Sequence, residues 1–305
     1  MSDFSLLVGN GINNVTPGYS WDDLILSLKA RTDADISIRA DKPFPLTYEE
    51  IYLSAISKVR SNKAAQKIEK EFKKCVATFS ENIESGAIHD KICKIGASHI
   101  LTTNYDFSLQ KSIMPLFDGY KHDGIIKETK FNLFRRYEIH DGMTFWPIHG
   151  VQSEPDTIIL GYEHYIGYAQ KLRDYVVNGT DNSYRLKFDP LVSRLLNNKK
   201  ISNDSWVELF FTQNIHIFGL GLGYVELDIW WLLNYRARRV PDGIVNNEIL
   251  YYHRRKDEEG NLAKFELLKS FGVKLVCLNS NGSAFYEEVL VKIKEYENSK
   301  VMILK

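Results

Sequence analysis

Cysteine is scarce and scattered: Cys75, Cys93 and Cys277 are the only three, and no C-x-x-C pair exists. That spacing excludes a four-cysteine zinc module and gives no basis for a disulfide framework. Three reduced thiols in a cytoplasmic protein are expected. No stretch approaches the roughly 18 consecutive apolar residues of a membrane-spanning helix. The opening Met-Ser-Asp-Phe-Ser-Leu-Leu-Val-Gly has neither a charged first segment nor a long apolar one, so no export signal is read. The N-x-S/T sequences at Asn14, Asn178, Asn203 and Asn281 therefore mean little. Excess charge is also lacking, with 39 basic against 39 acidic residues. Without a basic face, direct sequence-specific nucleic-acid binding is not expected. The local clusters Arg236-Ala-Arg-Arg239 and His253-Arg-Arg-Lys256 read as solvated surface. Internal repeats and low-complexity segments are absent, and the expectation is a soluble, cytoplasmic globular chain.

What is present alternates between strand and helix signals. Phe4 to Val8 is a short apolar run halted by Gly9-Asn10-Gly11, as a buried strand is before a tight turn. Ser20-Trp21-Asp22-Asp23 is a capping signal ahead of the apolar Leu24, Ile25 and Leu28. From about 32 to 97 the pattern turns helical, with Ile68, Phe72, Val76, Phe79 and Ile83 forming a stripe; this reads as a helical insertion. Further strands are expected at 98–103, 143–148, 157–160, 214–218, 248–252 and 273–278. Helices are expected at 163–177, 225–238, 259–270 and 283–297, the second of these buried on nearly every side. Such alternation predicts one α/β domain over residues 1–305. Its expected form is Rossmann-like, a mostly parallel sheet with helices on both faces and the 32–97 insertion within it.

Ligands of such folds bind at the carboxyl ends of the strands, and four motifs fall there. Gly9-Asn10-Gly11-Ile12-Asn13 can bring backbone N–H groups close to a pyrophosphate, or be an ordinary tight turn. It is not the full dinucleotide fingerprint, because Asn14 stands at the third glycine position. Thr102-Thr103-Asn104-Tyr105-Asp106 can hydrogen-bond a ribose, or its Asn and Asp can cap the next helix. His149, followed by Gly150, can serve as a general base or be a structural histidine. Gly219-Leu220-Gly221-Leu222-Gly223 is a second glycine-rich turn, followed by Glu226 and Asp228, acids that suit a helix start with or without a ligand.

In this order the four motifs resemble the sirtuin-like family, especially its bacterial branch in anti-phage defence. The resemblance spans residues 6 to about 230 and includes Ser20-Trp21-Asp22-Asp23-Leu24. It implies NAD as substrate, with Asn104, Asp106 and His149 catalytic and His149 the base. Gly9, Asn10, Gly11, Asn13, Thr103, Gly219, Gly221, Leu222 and Asp228 would bind NAD, joined by Asn279 on a looser match. No zinc or other metal is implied for a chain without the four-cysteine module of the protein-deacylating members. Asn10 and Asn13 replace the usual Ala and Ser of the first loop. The basic segment at 107–142 also separates Asn104 from His149 more widely than in those enzymes. These departures favour hydrolysis of the nicotinamide–ribose bond over peptide deacylation. A weaker resemblance, through Gly9-Asn10-Gly11, is to abortive-infection proteins. The implied partners are further copies of the chain, in a homo-oligomer, or a DNA-translocating ATPase encoded alongside. The alternative function is an NAD- or nucleotide-binding assembly module controlling that ATPase. The apolar Val301-Met-Ile-Leu304 is read as an interface or as a last strand against the core.

Overall fold

A computed structural model describes residues 3–15, 21–32, 36–39, 41–139, 142–181 and 184–303. In chain order, β1 (Phe4–Val8) is followed by α1 (Trp21–Lys29), α2 (Phe44–Ile56), α3 (Asn62–Glu81) and α4 (Ala87–Cys93). Next come β2 (His99–Thr102), α5 (Ser108–Ile113), β3 (Tyr137–Ile139), β4 (Met143–Pro147) and α6 (Tyr162–Arg173). Then α7 (Leu191–Leu196) and α8 (Trp206–Thr212) lead to β5 (Asn214–Phe218) and α9 (Leu227–Arg238). The chain closes with β6 (Ile249–Arg254), α10 (Leu262–Ser270), β7 (Val273–Leu278) and α11 (Gly282–Ile303).

The strands form one seven-stranded sheet in the order β3-β4-β2-β1-β5-β6-β7. Every pairing is parallel except β3 with β4. Counting only the parallel strands in chain order, the sheet runs 3-2-1-4-5-6, the order of dinucleotide-binding folds. The α/β, Rossmann-like expectation holds, with one antiparallel edge added. All five residues of β1 are buried, as a central strand covered on both faces requires. Leu7 packs into one core with Leu101, Trp146, Ile217 and Ile229, while Leu6 and Val8 enter the opposite core with Ile100, Phe145, Phe285 and Val289. Each such side chain contributes roughly 1.5–3 kcal/mol on burial.

A third core is built within the helical segment. Leu24, Ile25 and Leu28 meet Tyr48, Ile51, Phe72 and Val76, and the cluster docks on the main body through Tyr105, Ile158 and Leu160. Within the span read as an insertion, α4 behaves differently: Ile88, Ile92 and Cys93 pack on the sheet side. Ser20, the expected cap residue of α1, lies outside the described residues.

The strand expected at 157–160 is not formed. Pro155 starts a single tight turn over Pro155–Thr157, and Ile158, Ile159 and Leu160 fill core positions without pairing in the sheet. A short buried apolar run has no periodicity to separate it from a strand. Helix α9 is not buried all round: Trp230 and Trp231 are half-buried and stack on Tyr224 and Tyr235. The last helix runs on to Ile303, so no closing strand forms there; Leu304 is not among the described residues.

Candidate active site

In a 3-2-1-4-5-6 sheet the connections leave β1 and β5 toward opposite faces, which opens a crevice at their carboxyl ends. A cavity of about 690 Å³ lies there, within the roughly 300–1,000 Å³ typical of small-molecule and cofactor sites. It is walled by Asn10 and Gly11 after β1, Thr103 and Tyr105 after β2 and His149 after β4. Gly219, Gly221 and Glu226 after β5, and His253 and Arg254 from the end of β6, complete it.

The two glycine loops lock together. Gly9 N–H donates to the Phe218 carbonyl at 3.1 Å, and Gly11 N–H to the Gly219 carbonyl at 2.8 Å. A Cβ on Gly9 would lie 2.5 Å from the Gly219 oxygen, and one on Gly11 2.5 Å from the Tyr286 hydroxyl. These two glycines are therefore required by loop packing itself. Gly221 differs, because a Cβ there would meet nothing within 4 Å although the residue lines the cavity. Leu222 takes a φ of 47° and sends its side chain into the core, away from the cavity.

Asn13 and Asp106 form a buried brace below the first loop. Asn13 Nδ2 donates to Asp106 Oδ2 at 2.8 Å and to Asn10 Oδ1 at 2.8 Å, while its Oδ1 meets His89 Nε2 at 2.9 Å. Asp106 Oδ1 accepts from the Ser108 N–H at 2.9 Å, at the start of α5. Neither side chain lines the cavity. Asn104 lies between two lining residues, Thr103 and Tyr105. Its amide is buried, and neither Oδ1 nor Nδ2 has a hydrogen-bond partner. Such an orphaned group costs about 1–3 kcal/mol unless something else satisfies it.

His149 forms part of the cavity wall, 2% exposed. Gly150 follows it at a φ of +105°, where a Cβ would meet Ile158 backbone at 2.5 Å, so only glycine fits. His149 Nε2 lies 2.7 Å from Asp228 Oδ2, and the ring meets Tyr165 edge-on at 5.3 Å. Burial disfavours the charged imidazole, but the Asp228 carboxylate, by charge and hydrogen bond, and nearby Glu226 outweigh it. The net effect holds His149 above its ordinary pKa. The second oxygen of Asp228 is buried without a partner.

Glu226, at the turn into α9, is a cavity residue that the sequence marked only as a helix-start acid. Its Oε2 accepts from the Gly223 N–H at 2.5 Å. Burial pushes its carboxyl up to about 7, opposed by His149, reinforced by Asp228, and opposed again by the Gly223 N–H and Lys264. Lys264 of α10 also faces the cavity and donates to the Gly221 carbonyl at 2.7 Å. Arg254 is held by Asp257 at 2.7 Å. Nothing in the local sequence of Lys264 or Arg254 signals this placement, which depends on the order of strands. Asn279 stands apart: it is exposed, accepts from Arg255 Nε at 2.8 Å and does not line the cavity.

The structure thus brings Asn10, Gly11, Thr103, His149, Gly219 and Gly221 to one cavity, with Asp228 behind His149. Gly9, Asn13, Asn104, Asp106 and Leu222 lie behind its lining residues, and Asn279 is outside it. No model of a known protein family matches the chain, and no curated protein does either.

Proposed function

We propose that the chain binds NAD in this cavity and hydrolyses its nicotinamide–ribose bond. The observation that carries the reading is the convergence of both glycine loops, Thr103 and the Asp228-paired His149 on one cavity at the switch point of the sheet. The Gly9 and Gly11 N–H groups are taken by the facing loop, but the open Gly221 position leaves room for a pyrophosphate beside the second loop, and a paired imidazole in the same cavity suits proton removal. The nicotinamide of NAD is a cationic leaving group and needs little acid assistance. The difficulty lies in stabilising a positively charged ribosyl centre and placing water against it.

In the proposed step, the C1′–N bond breaks and its electron pair neutralises the nicotinamide ring. Water attacks C1′ and gives its proton to His149, which returns it to solvent. Asn104 offers an unused carbonyl and amide to a ribose hydroxyl and to that water. Asp106 acts through the brace with Asn13, which fixes the loops. Glu226, once ionised, places negative charge near the developing cation.

The resemblance to the defence branch carries the wider reading. The chain would be a cytoplasmic abortive-infection effector restrained by its own oligomer or by a DNA-translocating ATPase. Among the described residues no helix is long and apolar enough to cross a membrane.

The test is product analysis after incubation with NAD, with and without an acyl-lysine peptide and the neighbouring gene product. Nicotinamide and ADP-ribose formed without peptide are expected. Release only with peptide would replace the reading by a deacylase. Tight NAD binding without release in every condition would replace it by a binding module.

A further inference from the structure

On the far side of the cavity from His149's strand, β6 and β7 end in a cluster that the proposed reaction does not use. His253 and Cys277 are direct register partners on these adjacent parallel strands, so their side chains stand on the same face of the sheet. The turn after β6 folds Glu258 back over them. One ligand-capable atom from each of His253, Glu258 and Cys277 lies within 4.8 Å of the others. We propose that these three residues bind a divalent transition metal of zinc-like character.

The donor set is one imidazole nitrogen, one thiolate and one carboxylate oxygen. Borderline-soft ions such as Zn²⁺ accept that mixture, and three protein ligands with a water in the fourth position is a stable arrangement for them. The cluster differs from a chance group of surface acids. His253 is 5% exposed, and its ring is fixed against Phe265 at 4.2 Å between centroids. Its Nδ1 lies 3.4 Å from the Arg254 carbonyl. Cys277 stands beside the Glu258 carboxylate. A bound cation would displace its proton to solvent, leaving the thiolate as ligand.

One feature opposes the site. Glu258 also pairs with Arg255 at 3.4 Å, which puts a guanidinium close by. That pair is largely exposed and holds Glu258 only weakly. Arg255 has a second anchor in Asn279 and can turn toward it. Because His253 also lines the cavity, an ion here would sit at its wall and make ligand binding sensitive to the metal.

The test uses the whole chain and Co²⁺ as a spectroscopic substitute for Zn²⁺, with no NAD present, so it stands independently of the proposed reaction. One equivalent of Co²⁺ is expected to give a thiolate-to-cobalt charge-transfer absorption that Zn²⁺ abolishes. Cys277→Ser should remove the band and weaken Zn²⁺ binding by roughly 100-fold or more, and Glu258→Gln should weaken it less. Cys75→Ser and Cys93→Ser should leave both unchanged. Absence of the band in the unmodified chain, or its persistence in Cys277→Ser, would overturn the proposal.

Discussion

Both polar atoms of the Asn104 side chain are buried without a partner, and the two neighbours of this residue line the cavity. Such a group is free to hydrogen-bond a ligand that reaches it. Asn104→Ala should therefore lose turnover while leaving stability unchanged or slightly raised, since the orphaned amide is removed; a thermal melt beside a nicotinamide assay checks both. His149 must be neutral to accept a proton, and Asp228 holds its pKa above the ordinary value. The rate should then rise with pH through a pKa above about 6.5. Asp228→Asn should move that limb to lower pH, because burial is then opposed by Glu226 alone. A pH–rate profile unmoved by the substitution would remove Asp228 from the mechanism. Glu226 gives a stability test with a defined sign. Its pKa is higher folded (about 7) than unfolded, so the fold favours the protonated form and stability falls as pH rises from about 4.5 through 7. Glu226→Gln should accordingly stabilise the protein at pH 8 by roughly 1–3 kcal/mol and have little effect at pH 4. Chemical denaturation at the two pH values measures this directly.

The glycine loops separate two reasons for keeping glycine within one element type. At Gly9 and Gly11 the neighbouring loop and Tyr286 occupy the space a side chain would need. Alanine at either should cost about 1–3 kcal/mol through overpacking. At Gly221 the protein leaves the space open, and the residue faces the cavity. Gly221→Val should preserve the melting temperature of the free protein while sharply reducing its rise on adding NAD. An undiminished NAD-induced rise would place the dinucleotide elsewhere. The elements themselves were readable to unequal degrees. Strands β1, β2, β4 and β5 announce themselves as apolar runs closed by Gly, Thr-Asn or His-Gly, because a strand buried on both faces and ending at a loop must read so. Strand β3 escaped because Tyr137–Ile139 is three residues long at a sheet edge, too short to set a period. Residues 157–160 were misread for the opposite reason: core burial gave them strand-like composition without sheet pairing.

At the scale of the whole molecule, the order of strands turns scattered motifs into a site. The sequence shows that several motifs lie at strand ends but not which ends are neighbours. That is why Thr103 and His149 were named in advance while Lys264 was passed over and His253 and Arg254 were read as solvated surface, although both line the cavity. Two residues named with them, Asn13 and Asp106, are held inside the loops, where their local hydrogen bonds place them. Asn279 fell outside because β7 is the edge strand, two places from the crevice between β1 and β5. If assembly restrains the activity as proposed, native mass spectrometry should find species larger than the monomer, alone or with the neighbouring ATPase. Monomer alone in both cases would remove that layer of the account. The central claim is tested most directly by nicotinamide release from NAD, compared between the unmodified chain and a folded His149→Ala variant. The expected result is release by the former and a fall of roughly 10²–10⁴-fold in the latter. Equal rates in the two proteins would contradict it.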